Sequence, residues 1–171
     1  MTTLILTRHG ETLENQQHIL QGQLPGTLSP LGLQQAAALA ERLRGEHLDA
    51  IVCSDLARSL QTAATVAQPH RLIPEPTPLL REMDWGPYTG NRLDDVDWRH
   101  LPPGTESIKQ LFQRAAAFIR YLQERHAAQR VLAVGHGVFN RAITTYLQGK
   151  EPLAMIDLPI MENTACLTFE I

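Results

Sequence analysis

Three short apolar runs, Leu4–Leu6, Leu48–Cys53 and Val131–Val134, each close on a polar or glycine-bearing turn and are followed in turn by helix-forming sequence. Runs of this length rich in strand formers read as strands buried on both faces. Strands that alternate with helices return to one sheet through crossover connections, which favours parallel pairing. The pattern therefore predicts a three-layer α/β/α sandwich with a largely parallel sheet and helices on both faces. The last segment alternates, with Ala165, Leu167, Phe169 and Ile171 on one face. It fits an edge strand with one buried side, running antiparallel to its neighbour.

The helices carry their own boundary signals. Ser29-Pro30 supplies an N-cap and a first-turn proline for a helix reaching Leu43, and Ser54-Asp55 would cap a helix from Leu56 to Ala67. Ser107 and Gln110 form a capping box ahead of a long helix whose apolar stripe is Leu111, Ala115, Phe118, Ile119 and Leu122. Val138–Gln148 forms a further helix that Gly149 can end. Between them, prolines from Pro69 to Pro103 predict irregular chain with one short strand near Leu72-Ile73.

With 171 residues, 43% of them hydrophobic, the chain can build one core without metal or disulfide, so residues 1–171 are expected to form a single domain. Cys53 and Cys166 have no ligand or bridge spacing and read as small hydrophobes. A net charge of -3, with both signs dispersed, excludes a broad basic surface for nucleic acid. The opening Met1–Leu6 leads straight into Arg8-His9, with no charged segment, full apolar leader or long apolar span, so a cytoplasmic protein without membrane contact is expected.

In sheets of this kind ligands bind beyond the carboxyl ends of the strands, and those ends carry Arg8-His9, Arg58 and the Gly135-His136-Gly137 turn. Two arginines, two histidines and helix starts point to a phosphoryl group: the cations neutralise its equatorial oxygens and a neutral imidazole can attack phosphorus. An alcohol leaving group also needs a proton. Glu82, within Leu80–Gly86, is the candidate acid, because apolar neighbours would favour a neutral carboxyl group, but position alone does not separate it from Asp84.

Other polar residues receive plainer readings. Glu46-His47-Leu48-Asp49 lacks metal-ligand spacing and reads as a solvated loop. Most of His18, His70, His100 and His126 are expected at the surface, and Arg114, Arg120, Arg125 and Arg130 on the wet face of the long helix. Trp85, Tyr88 and Trp98 could be core anchors or a substrate wall, with the wall slightly favoured. Asp94, Asp95 and Asp97 would repel a second phosphate if they face the pocket, or else form a helix start or a solvated loop.

Arg8-His9-Gly10-Glu11-Thr12 resembles the R-H-G-E-[ST] signature of the phosphoglycerate-mutase-like branch of the histidine phosphatases. The likeness continues in order through Asn15, Gln21-Gly22, Leu28–Gly32, Ser54–Ala63, Leu80–Glu82 with Gly86 and Gly90, Gly104–Ser107 and Gly135–Gly137. It implies that His9 carries the phosphoryl group, that Arg8, Arg58 and His136 hold the phosphate with help from Asn15 and Gly137, and that Glu82 is the acid and base. Gln21 and Gly22 would line the substrate side. No metal or other cofactor is implied for such a phosphatase, although mutases of the family are primed by a bisphosphorylated glycerate.

Two departures qualify the likeness. Val138 replaces a second glycine frequent after G-H-G, and the stretch from Gly86 to Gly104 is short beside the mutases. A shorter cover admits water, which favours hydrolysis of a small phosphomonoester, of the α-ribazole phosphate or sugar phosphate type, over transfer. A phosphohistidine protein phosphatase, a non-catalytic phospholigand-binding or scaffold protein and a phosphoglycerate mutase are the competing readings.

Overall fold

The structure, a computed structural model, describes residues 1–171. Its strands and helices in chain order are β1 (Thr3–Arg8), α1 (Leu13–Gln16), α2 (Pro30–Leu43), β2 (Ala50–Cys53), α3 (Ala57–His70), β3 (Glu75–Pro76), α4 (Ile108–Arg125), β4 (Arg130–Gly135), α5 (Gly137–Leu147) and β5 (Cys166–Glu170). One sheet joins the strands in the order β3-β2-β4-β1-β5. All neighbours pair parallel except β1 and the antiparallel edge strand β5.

The three apolar runs explain the layers. Successive side chains of a strand point to opposite faces. Leu4, Leu6, Ala50, Val52, Val131 and Ala133 meet the apolar stripes of α4 and α5. Ile5, Ile51, Cys53, Leu132 and Val134 instead meet α2 and α3. These strands are therefore apolar at consecutive positions, as burial on both faces demands. The capping box of α4 forms as expected, and all five of its stripe residues are buried.

Several local expectations change. Helix α3 has Leu56, without a side-chain bond, at its cap and runs past Ala67 to His70 with Pro69 in its last turn. Ser54 still accepts the Leu56 N–H, at 3.3 Å, but its hydroxyl also meets His136. The short strand is Glu75–Pro76, because the Leu72 N–H is still bonded to the Ala67 carbonyl of the helix end and Ile73 is 87% exposed. Phe169 of β5 and Ile171 just past its end pack on the core, whereas Leu167 of β5 remains exposed. Cys53 is buried, its thiol pushed up to about 12 by burial, while Cys166 is half-buried.

His126 is buried rather than exposed, its carbonyl accepting from Thr2 and its ring meeting Gln129. Arg114 is also drawn inward, pairing with Glu106 at 2.9 Å. Helical periodicity gives a residue's direction but not the loop packed beyond it, and the Leu79–Asp84 segment covers the position where Arg114 would otherwise meet water.

Gly10 serves close packing rather than an unusual turn conformation. A Cβ there would lie 2.5 Å from the Gly32 carbonyl oxygen, and a Cβ on Gly32 would lie 2.0 Å from that of Glu11. Two glycines thus let the start of α2 rest directly on the turn that carries His9. Alanine normally favours a helix over glycine by about 1 kcal/mol. Gly32→Ala should instead destabilise by about 1–3 kcal/mol through overpacking, read as a lower urea midpoint with an unchanged slope.

Candidate active site

Strand register assembles the site. Arg8, the last residue of β1, is paired with Gly135, the last of β4. The chain leaves both strands at the same level, so His9 and His136 stand side by side with ring centroids 5.1 Å apart. Arg58 arrives on the first turn of α3, one strand further along the sheet. Arg8, His9, Asn15, Gln21, Gly22, Arg58, Glu82 and Gly137 line one cleft of about 460 Å³. His136 lies fully buried behind this wall, against His9.

The tautomer of His9 follows from one contact. His9 Nδ1 lies 2.6 Å from the Gly10 carbonyl oxygen. A carbonyl only accepts, so Nδ1 carries the proton and Nε2 keeps a lone pair. Burial, followed by the charges of Arg58 and Arg8, holds His9 well below the usual histidine range, with the Gly10 contact opposing them. Burial and the same cations also depress His136. Both rings are neutral at neutral pH. His136 Nε2 lies 2.6 Å from Ser54 Oγ, and a Ser54 O–H donated to it places the His136 proton on Nδ1.

Arg58 is rooted by donating to the carbonyls of Gly22, at 2.8 Å, and of Leu24 and Pro25. Arg8 donates to the Met161 carbonyl at 2.9 Å. Burial pushes the Arg58 guanidinium down to about 10, which leaves it cationic at neutral pH. Arg8 Nε, Arg58 Nε and His136 Nδ1 are buried donors without a partner in the protein. Buried polar groups are nearly always paired, so three such donors beside one imidazole lone pair describe an anion cradle.

Glu82 and Asp84 now separate. The Glu82 carboxylate accepts from the backbone N–H groups of Met83, Val138 and Phe139 at 2.8–3.0 Å, and it faces the cleft. Asp84 is exposed and accepts from the Gly86 N–H of its own turn, outside the cleft. The apolar surround expected for Glu82 is thus broken by the first turn of α5. Asn15 closes a capping box with Thr12, and Gln21 Nε2 donates to Thr12 Oγ1 at 2.8 Å. Gly26, at φ +71°, sits where a Cβ would fall 2.4 Å from Gln21 Oε1 and 3.0 Å from Arg58 Cδ.

Of the three aromatic candidates only Trp85 lines the cleft, and it is also a core residue at 1% exposure. Tyr88 and Trp98 pack around it as anchors. Asp94, Asp95 and Asp97 stay off the cleft wall, which takes Leu93 from that turn. His18 reaches the rim. Sequence reading did not single out Asn163, whose Nδ2 donates to the His9 carbonyl at 2.9 Å, or Thr62, which accepts the Gly10 N–H at 3.1 Å. Thr62 lies within the matched Ser54–Ala63 run, but no local pattern marks Asn163.

Residues 4–171 match the family model of the histidine phosphatase superfamily (branch 1). The chain belongs to this superfamily. A curated relative, the probable phosphoglycerate mutase GpmB of Yersinia pestis, is 32% identical over 164 residues, covering 87% of this chain and 76% of the relative. Among solved structures, the mycobacterial glucosyl-3-phosphoglycerate phosphatase superposes with a TM-score of 0.86 at 28% identity, covering 97% of this chain and 88% of the other. The α-ribazole phosphatase of Shigella flexneri gives 0.88 at 27% identity, with 99% and 90% covered. Relatives in the superfamily thus include both phosphatases and mutase-like proteins.

The depressed histidines make stability depend on pH. Below the ordinary value of 6.5 the unfolded chain protonates at His9 and His136 before the folded chain does. Stability should therefore be complete above about 6.5 and fall as pH drops from there towards the depressed folded values. Denaturant midpoints measured across this window check the slope, and His9→Asn should flatten it.

Proposed function

We propose that this protein is a phosphomonoester hydrolase that carries phosphate on His9 Nε2 and needs neither metal nor other cofactor. The observation behind this reading is the set of three partnerless donors, Arg8 Nε, Arg58 Nε and His136 Nδ1, grouped with a histidine whose free lone pair is fixed by the Gly10 carbonyl. Nε2 attacks phosphorus in line with the leaving oxygen while the cradle holds the equatorial oxygens. The P–O bond to the substrate breaks, and Glu82 supplies the proton that releases an alcohol. The resulting carboxylate then takes a proton from water, which attacks phosphorus, breaks the P–N bond and frees phosphate.

Hydrolysis of a small metabolite is favoured over mutase chemistry by the charges on the cleft wall. Its only cationic side chains besides histidine are Arg8 and Arg58, both committed to the cradle, while Glu11 and Glu162 add negative charge at the wall. A phosphoglycerate carboxylate would meet no further cation there. The phosphatase relatives support hydrolysis, one of them acting on a glucosylated phosphoglycerate, and the α-ribazole phosphate or sugar phosphate class is the first to try in a cytoplasmic setting. The mutase-named relative makes interconversion of 2- and 3-phosphoglycerate the control reaction.

With excess chelator, the native chain should release phosphate from p-nitrophenyl phosphate and His9→Ala should not. Turnover by the His9 variant, or loss of native turnover on chelation, would overturn the reading. Ligand binding without turnover on any phosphomonoester would favour a scaffold instead. Glu82→Gln should lower kcat/KM about 10²–10⁴-fold for alkyl phosphates, whose alkoxide cannot leave unprotonated, and much less for an aryl phosphate.

A further inference from the structure

The structure assigns Arg114 a role outside the cradle: we propose that it is a positioning residue that fixes Glu82 for proton transfer, with Glu106 as its counter-charge. Arg114 does not line the cleft. It rises from the second turn of α4 into the bend that carries the acid. Nη1 donates to the carbonyls of Leu79, at 3.0 Å, and Arg81, at 2.7 Å. Nη2 adds a longer contact of 3.4 Å to the carbonyl of Glu82 itself. One guanidinium thus gathers the carbonyl groups that lead up to the acid and that of the acid itself.

The other end of Glu82 is held through the same group. Arg114 stacks on the Phe139 ring, with its guanidinium carbon 3.9 Å from the ring centroid. The Phe139 N–H is one of the donors to the Glu82 carboxylate, at 2.9 Å. Backbone and carboxylate of the acid are therefore both referred to Arg114, one through hydrogen bonds and the other through stacking. Glu106 completes the arrangement by accepting from Arg114 Nε and Nη2, each at 2.9 Å, and from the Asp84 N–H at 2.9 Å. The Glu106 N–H returns a bond to the Asp84 carbonyl at 2.8 Å.

The pair is largely withdrawn from water, with side-chain exposures of 17% for Arg114 and 12% for Glu106. A lysine in place of Arg114 keeps the charge but presents a point donor instead of a planar fork, and it cannot stack on Phe139 in the same way. Displacing a proton donor by a fraction of an ångström costs rate only where the proton transfer is needed. The signature of this role is dependence on the leaving group, which general weakening of the fold would not produce. The inference rests on Glu82 being the acid, so the experiment must examine both residues.

The test compares kcat/KM for an alkyl phosphate and for p-nitrophenyl phosphate in the native protein, Arg114→Lys, Glu82→Gln and the double variant, each with its thermal midpoint. Arg114→Lys should lower the alkyl-to-aryl ratio about tenfold. In the double variant the ratio should match that of Glu82→Gln alone, because a misplaced acid that is already absent loses nothing more. Glu106→Gln, which retains the acceptor shape without the charge, should shift the ratio in the same direction to a smaller extent. It decides the matter by the same criterion if Arg114→Lys does not fold. An unchanged ratio in the folded variants, or a full further drop in the double variant, would overturn the role of Arg114 while leaving Glu82 as the acid. An unchanged ratio in Glu82→Gln would overturn both.

Discussion

Two guanidinium groups, that of Arg58 buried and that of Arg8 partly so, stand beside two buried imidazoles, and much of this structure can be understood as the means of tolerating that arrangement. An isolated buried cation is costly unless its donors are satisfied. Arg58 meets the cost by donating to the carbonyls of Gly22, Leu24 and Pro25, which gives the irregular chain between α1 and α2 a defined course. Arg8 does the same through Met161 and so draws the segment before β5 towards the site. Burial, joined by this positive field, keeps both histidines neutral, and neutrality preserves the lone pair on His9 Nε2.

A second polarity is set against the first. Glu82 lies on the first turn of α5, where the N–H groups of Val138 and Phe139 hold both carboxylate oxygens in place. The same helix begins immediately after His136. One strand-to-helix junction therefore supplies a neutral donor on one side and a seat for the Glu82 carboxylate on the other. This economy links the spacing of Gly135-His136-Gly137 to the position of a residue more than fifty places earlier in the chain.

The fold was legible because its strands are buried on both faces, which leaves continuous apolar runs such as Ile51–Cys53 and Val131–Val134 in the sequence. The cradle was legible because its members sit next to those strand ends. Contacts made by loop backbone left less trace. Asn163 reaches the carbonyl of His9 from a segment with no regular pattern, and Arg114 occupies a helix position that periodicity alone would give to solvent. The short strand was placed too early, because the end of α3 continues through Pro69 and consumes the residues that seemed free to pair.

The place of β1 in the sheet has a consequence for how the chain comes to be folded on a ribosome. Its ladder partners are β4 on one side and β5 on the other, and both follow it only after at least four helices and two other strands. Strand β1 thus emerges well before either edge can be satisfied, and its apolar side chains must wait for β4 and β5 before they have a sheet to join. During synthesis His9 therefore leaves the ribosome well before the strands that complete its surroundings.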